Sequence, residues 1–229
     1  MANDTLLLTI AVSGGTGKEG KGLAYRWAKA GYRVLIGSRY SEKAVTVASE
    51  IMELLEGESS IVGATNPEAA QQADIVVLTV PYAGHRELLE SVKDSLEGKL
   101  VIDTTVPLVP PKTSKVQMPS AGSAAQEAKV ILGENTEVVA AFQNISYEHL
   151  LKDEDVDCDV LVTGSSKKAR QEALTLVEAA GLTGWDAGPI ENSVVVEGLT
   201  SVLININRQY GSTHAGIKIT GAQKKSQSD

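Results

Sequence analysis

The sequence has few of the side chains that build disulfide scaffolds, metal clusters or stacking surfaces. Cys158 is the only cysteine among 229 residues, which excludes an intrachain disulfide and a cysteine-based zinc cluster. Its acidic neighbours, Asp157 and Asp159, should raise the pKa of the thiol, so Cys158 is not a candidate nucleophile. Aromatic residues make up only 4% of the chain, which disfavours a surface that stacks single-stranded nucleic acid.

The chain also lacks a basic excess and a long apolar run. The formal net charge is −8, which argues against a general nucleic-acid binder. No apolar stretch is long enough for a membrane span, and the first residues, MANDTLLLTIAV, lack the basic region of a signal peptide. We therefore expect a cytoplasmic protein. The histidines are scattered singly, predict no metal site and are expected to be surface or satisfied side chains: His85, His149 and His214.

What the chain does contain is a glycine-rich loop between a strand pattern and a helix pattern. An apolar run at 6–12 leads into a G-x-G-x-x-G motif made of Gly15, Thr16, Gly17, Lys18, Glu19 and Gly20. In this motif the first glycine permits the turn, the second admits a pyrophosphate, and the third lets the helix pack closely. A second apolar run follows at 34–36. The complete βαβ context predicts dinucleotide binding rather than an ordinary glycine turn.

The end of the second apolar run predicts which dinucleotide is bound. NAD-binding proteins usually carry an acidic residue there, which accepts from the ribose hydroxyls. This chain has Ser38 and Arg39, with Lys43 one helical turn further on. A hydroxyl, a guanidinium and an ammonium group suit a 2′-phosphate, whereas a carboxylate would repel it. The pattern therefore favours NADP(H) over NAD(H), and the alternative is a pair of solvated surface cations.

The rest of the pattern alternates short apolar runs with amphipathic stretches. Continuous apolar segments at 74–81, 100–103, 138–142 and 160–163 indicate strands covered on both faces. Ser41 and Asn66 are predicted helix N-caps. The fold predicted is α/β: a Rossmann-like, doubly wound, mostly parallel sheet with a small C-terminal helical segment.

The last forty residues differ from the preceding α/β pattern. Residues 190–210 predict one long helix with a stripe of apolar side chains, which needs a partner surface. We therefore divide the chain into an NADP-binding domain at 1–189 and a packing or dimerisation segment at 190–229, a helix followed by a polar tail. A homodimer is the assembly expected.

Several of these motifs together resemble a known family. The chain resembles the NADPH-dependent reductases of coenzyme F420, an 8-hydroxy-5-deazaflavin hydride carrier, from about residue 8 to residue 219. The marks are GGTGKEGKGLA at 14–24, GSR at 37–39 with Lys43, ADIVVLTVP at 73–81 and DAGPIENS at 186–193. The closing segments LTSVLININRQYG and GIKI add to the likeness.

The resemblance implies hydride transfer between NADP(H) and the deazaflavin. It implies that residues 16–19 hold the pyrophosphate, and that Val80 and Val106 contact the nicotinamide half. The deazaflavin would lie near Pro107 and Ile145. Archaeal members have His-Thr-Ile-Pro after the strand that ends here at Phe142, whereas this chain has Gln-Asn-Ile-Ser at 143–146.

Hydride transfer between two carriers needs orientation and a dry site more than it needs a catalytic side chain. We therefore predict no general base and no catalytic residue. Gln143 or Asn144 could donate a hydrogen bond to the deazaflavin, and Lys112 and Lys115 could meet its acidic tail. Two other functions stay open: an NADPH-dependent reductase of another flavin or an imine, and a non-catalytic NADP(H) sensor.

Overall fold

The computed structural model describes residues 8–57, 59–152 and 154–223. The end of the predicted polar tail, 224–229, therefore lies outside the described residues. Within them the strands are β1 (Thr9–Ser13), β2 (Arg33–Ser38), β3 (Ile61–Thr65), β4 (Ile75–Leu78), β5 (Leu100–Asp103), β6 (Glu137–Ala140), β7 (Asp159–Gly164) and β8 (Thr183–Pro189). The α-helices are α1 (Lys18–Lys29), α2 (Ser41–Leu54), α3 (Asn66–Gln72), α4 (His85–Val92), α5 (Ala124–Leu132), α6 (Lys167–Ala179) and α7 (Ser193–Tyr210).

The described strands form one eight-stranded sheet in the order β3-β2-β1-β4-β5-β6-β7-β8. The first six strands run parallel to one another, β7 is antiparallel to β6, and β8 is parallel to β7. The order reverses between β1 and β4, and in doubly wound sheets ligands bind in the crevice at this point. The predicted Rossmann-like, mostly parallel sheet is confirmed.

Two apolar clusters cover the faces of the sheet. One contains Trp27 of α1, Ala48 of α2 and Leu176 of α6; the other contains Ala69 of α3, Leu89 of α4 and Ala128, on α5. Residues of β1 alternate between them, because successive strand side chains point to opposite faces. Such coverage explains why the strands read as continuous apolar runs.

The two predicted N-caps were wrong by one residue each. Tyr40 is the N-cap of α2, so Ser41 is the first helical residue and caps nothing. The N-cap of α3 is Thr65, which forms a reciprocal capping box with Glu68. Asn66 is thereby free for another role: its Oδ1 accepts the N–H of Gly14 at 3.1 Å.

The C-terminal helix is present over nearly its predicted range and packs against the sheet and one of its covering helices. It contacts α5 and β7, and it buries Val196, Glu197 and Leu203. After α7 the chain returns to the start of β7, where Asp159 donates its N–H to Ile217 O at 2.8 Å. Because β7 runs antiparallel to β6, this return lies at the edge where β1–β6 end.

Candidate functional site

The glycine loop joins β1 to α1, and its backbone is held by the neighbouring strands. Gly14, one residue before the motif, is the glycine in the left-handed region, with φ of 77°. The N–H of Gly15 instead lies 3.1 Å from Val12 O and 3.0 Å from Gly37 O. The turn is therefore made one residue earlier than the motif predicts, and Gly15 is bonded to both β1 and β2.

Two of the motif glycines are closely packed and leave no room for a Cβ, whereas the third faces open space. A Cβ on Gly15 would lie 2.6 Å from Val12 O, and a Cβ on Gly20 would lie 2.5 Å from Thr79 Oγ1. A Cβ on Gly17 would meet no closer atom than Gly14 O, at 3.8 Å. Gly17 thus faces open space at the point where a phosphate would approach.

Gly17 is also the N-cap of α1. Within the described ranges, no capping side chain accepts a hydrogen bond from the first-turn N–H groups of this helix. The first-turn N–H groups and the positive end of the helix dipole therefore remain available to an anion. Thr16, half-buried, precedes this opening. The combination fits a pyrophosphate, for which uncapped helix N-termini are the usual protein site.

The residues predicted to bind the 2′-phosphate lie together at the end of β2. Ser38 is buried, and its Oγ accepts the N–H of Tyr40 at 3.2 Å. Arg39 and Lys43 are exposed, and neither has an ion-pair partner in the described part of the chain. The ammonium group of Lys43 lies 5.3 Å from the centroid of the Tyr40 ring. Two unneutralised cations beside a buried hydroxyl suit a phosphate ligand.

Two other loop side chains point away from the β2 edge. Lys18 Nζ lies 3.3 Å from Tyr147 Oη and 4.8 Å from the centroid of that ring. Glu19, half-buried, hydrogen-bonds with Thr104 just beyond the end of β5, and burial raises the pKa of its carboxyl group to about 8. Bonds with Thr104 oppose that rise, and nearby Asp103 adds to it. The carboxyl group of Glu19 is therefore mostly protonated at pH 7, and in that form it would not repel a pyrophosphate.

The residues predicted for the nicotinamide half lie where β4 and β5 end. Val80 and Val106 are half-buried and Pro107 is buried. A Cβ on Gly14 would lie 2.4 Å from Val80 Cγ1, so Val80 touches the glycine loop. Thr105 Oγ1 reaches Val80 O at 3.5 Å and ties the two strand ends together.

The residues predicted for the acceptor follow β6, through a strained turn. Phe142 has φ of 73°, unusual for a bulky side chain; its ring packs edge-on against Trp27, 5.8 Å between centroids. The side-chain amide of Asn144 donates both of its N–H groups, to Val196 O and to Thr200 Oγ1. The side chain of Asn144 therefore has no N–H group left for the deazaflavin, whereas the side chain of Gln143 uses one of its two, toward Asp103 O at 2.8 Å. Half-buried Ile145 borders this turn.

One buried polar group of this region was missed by sequence reasoning. His85, expected at the surface or satisfied, is fully buried, with Nε2 2.7 Å from Asp103 Oδ2. Glu197 of α7 is buried nearby and accepts the N–H groups of Ala124 and Ala125 at 2.7 and 3.1 Å. These contacts join residues 18 and 73 positions apart, so local spacing carried no signal of them.

The proline-rich loop lies along α7 and not across the glycine loop. Arg208 of α7 donates to Thr113 Oγ1 at 2.8 Å and to Ser114 Oγ at 3.1 Å. Lys112 and Lys115 are exposed on this loop, with no ion pair in the described ranges. An open cavity of about 300 Å³ lies elsewhere, lined by Arg26 and Glu154 among others, and contains none of the predicted site residues.

Cys158 is buried, and burial is the main cause that raises the pKa of its thiol, with Asp159 and Asp157 adding to the rise. The acidic neighbours therefore act in the expected direction, and burial, which the sequence did not indicate, contributes more. Among the described residues, no three histidine, cysteine or acidic side chains are grouped as metal ligands. None of the described helices is long and apolar enough to cross a membrane.

The sheet order and the crevice between β1 and β4 define the class, a Rossmann-type dinucleotide-binding protein. A family profile described as "NADP oxidoreductase coenzyme F420-dependent" matches residues 9–107. The F420-dependent NADP reductase of Methanothermobacter thermautotrophicus is 42% identical over 222 residues, which cover 94% of this chain and 96% of the relative. The F420-dependent NADP reductase of Methanocaldococcus jannaschii is 37% identical, and the match covers 94% of this chain and 100% of that relative. The chain belongs to the F420-dependent NADP reductase family and is an oxidoreductase.

Solved structures show the same fold at lower identity. A protein from Arthrobacter sp. FB24, provisionally named an F420-dependent NADP reductase, superposes with a TM-score of 0.79. The two are 24% identical, and the match covers 93% of this chain and 99% of that one. An imine reductase from Myxococcus stipitatus in complex with NAD⁺ is 17% identical, with a TM-score of 0.58, over 90% of this chain and 61% of its own.

Proposed function

We propose that this chain transfers a hydride between NADP(H) and coenzyme F420, with NADP(H) lying across the carboxyl ends of β2, β1, β4 and β5. The observation that carries the proposal is the pair of unneutralised cations, Arg39 and Lys43, beside buried Ser38. This pair faces the 2′-phosphate, and the uncapped start of α1 faces the pyrophosphate. The adenine half is then at β2 and the nicotinamide half at β4 and β5.

The bound coenzymes supply the redox chemistry, since a reduced nicotinamide donates a hydride that a deazaflavin accepts. The protein binds and orients them. Val80 and Val106 give the nicotinamide an apolar wall, and buried Pro107 helps to exclude water. The acceptor lies on the side of Gln143 and Ile145, close enough for a reacting distance of about 3–3.5 Å. Gln143, with one N–H unused, donates to the acceptor ring.

The experiment is a panel of hydride acceptors offered to the purified protein with NADPH or NADH. We expect oxidised F420 to be reduced with NADPH, much more slowly with NADH. A flavin or an imine reduced in place of F420 would move the function to another reductase class. Tight NADPH binding with no acceptor reduced would indicate a sensor.

A homodimer is proposed from the outer face of α7. Four apolar side chains on this face are exposed at spacings of seven, four and four residues: Val195 (64%), Val202 (45%), Ile206 (38%) and Tyr210 (78%). Such spacing makes a continuous stripe on a helix. A second copy of the chain would cover it. The division at residue 189 and the cytoplasmic location stay predictions.

A further inference from the structure

Asp103 is bonded to both segments that flank the proposed reaction centre. It ends β5 and is fully buried. Its Oδ1 accepts the N–H of Thr105 at 3.0 Å, which sets the course of the chain toward Val106 and Pro107. Its backbone oxygen accepts Gln143 Nε2 at 2.8 Å and the N–H of Ala141 at 3.3 Å. One residue thus joins the nicotinamide side to the acceptor side.

His85 holds the remaining carboxylate oxygen of Asp103. His85 is the first residue of α4 and is fully buried. Its Nε2 lies 2.7 Å from Asp103 Oδ2. The Tyr82 ring stacks on it at 6.1 Å between centroids. Nδ1 has no hydrogen-bond partner within the described residues, so the bond to Asp103 is the imidazole's polar anchor. Both oxygens of the buried carboxylate are thus hydrogen-bonded, and a satisfied buried network of this kind is rigid.

The charges around His85 favour a proton on the imidazole. Burial lowers its pKa, but the charge and the hydrogen bond of Asp103, with Glu127 and Glu197, outweigh burial and raise the pKa above its usual value. Burial raises the pKa of Glu197 itself to about 8, so Asp103 is the main charge that favours the proton near neutral pH. Arg86, next in the chain, pairs with Glu127 at 2.8 Å and does not face Asp103. His85 therefore remains a donor to Asp103 near neutral pH.

We propose that Asp103, held by His85, is a positioning residue that sets the distance between the nicotinamide and the acceptor. It touches neither coenzyme; its carboxylate acts through Thr105 on the Val106–Pro107 side, and its backbone carbonyl holds Gln143 on the acceptor side. The inference rests on the proposed hydride transfer. A small error in the spacing of the reacting carbons slows transfer much more than it weakens binding.

The test compares two substitutions of the same residue. His85→Leu removes the donor, whereas His85→Gln can place an amide N–H where Nε2 lies. With NADPH and F420, we expect His85→Leu to lower kcat by at least about tenfold and to leave each KM within about threefold. His85→Gln should recover most of kcat. The deuterium isotope effect on kcat, from NADPH labelled at nicotinamide C4, should rise in His85→Leu as transfer becomes slower.

A matched control separates position from stability. Ser91→Ala removes a hydroxyl from the same helix, where Oγ donates to Leu88 O at 2.8 Å, and should leave kcat unchanged. Asp103→Asn keeps the volume and the acceptor for Thr105 and serves if His85→Leu does not fold; it should also lower kcat with little change in KM. Either variant with a lowered Tm but wild-type kcat and isotope effect would overturn the inference.

Failure of the proposed function is a separate outcome. Wild-type protein that does not reduce F420 would overturn both proposals. Wild-type protein that does, with folded His85→Leu equally fast, would overturn only the role of Asp103 and His85.

Discussion

In the proposed function, the choice of NADP(H) depends on the side chains of Arg39 and Lys43. Their charges are solvent-exposed and unpaired in the described part of the protein, so a 2′-phosphate meets no competing carboxylate. A charged hydrogen bond is worth about 1.5–3 kcal/mol. NADH makes no such bond, and its affinity should not depend on either residue.

Arg39→Ala should therefore raise the KM for NADPH by roughly 10- to 100-fold and that for NADH by less than about threefold. Arg33→Ala is the matched control, because Arg33 is exposed at the opposite end of the same strand. Steady-state kinetics with both nucleotides measure the effect. Equal losses with NADPH and NADH would show that Arg39 does not bind the phosphate.

Glu19 makes NADPH affinity depend on pH. Its pKa is raised to about 8, so the carboxyl is neutral below that pH and charged above it. Ionised Glu19 would repel the pyrophosphate, and the Kd for NADPH should rise by up to about tenfold between about pH 7 and 9. Binding titrations of Glu19→Gln should show no such rise. Glu172→Gln, on the exposed side of α6, should behave as wild type; a wild-type Kd independent of pH would contradict the assigned pKa.

The start of α1 is the element proposed to bind the pyrophosphate, and the packing of Gly20 fixes where this helix start lies. A Cβ at this position would lie 2.5 Å from Thr79 Oγ1 and 2.7 Å from Gly15 Cα. Because one of these atoms belongs to the backbone, the helix would have to move away from the loop. We expect Gly20→Ala to lower the free energy of unfolding by about 1–3 kcal/mol and to weaken NADPH binding.

Gly17→Ala is the comparison for stability, since its Cβ would meet only open space. Denaturant unfolding should leave this variant within about 1 kcal/mol of wild type, because the remaining loss is that of a helix N-cap changed from glycine to alanine. A Gly20→Ala protein as stable as Gly17→Ala would show that the packing at the loop is looser than described.

Elements differ in how much of them the sequence predicts. The motif, the strand patterns and the α7 pattern are local, so the Rossmann-like sheet and the C-terminal helix could be predicted from periodicity and glycine spacing. The turn at Gly14 could not, because Asn66 holds it from another element. The His85–Asp103 pair was missed for the same reason, because the start of α4 and the end of β5 are not linked by any short sequence spacing. Polar contacts between residues far apart in the sequence can be identified only once the fold is known.

At the scale of the whole molecule, the proposed dimer depends on the exposed apolar stripe of α7. Val202→Glu with Ile206→Glu would place two charges in the centre of the exposed stripe, where burial against a second copy would be costly. We expect sedimentation equilibrium to change from dimer to monomer. Val130→Glu alters another exposed apolar residue, 76% exposed on α5, and should leave the dimer intact. A wild-type monomer would contradict the dimer proposal.

Hydride transfer between the two coenzymes is tested most directly by following the hydrogen itself. NADPH carrying deuterium on either face of nicotinamide C4 would be incubated with the protein and oxidised F420, and the reduced deazaflavin analysed by mass spectrometry. One of the two labelled forms should pass its deuterium to the deazaflavin ring, because the site fixes one face of the nicotinamide toward the acceptor. Reduced deazaflavin without label from either form would contradict direct transfer.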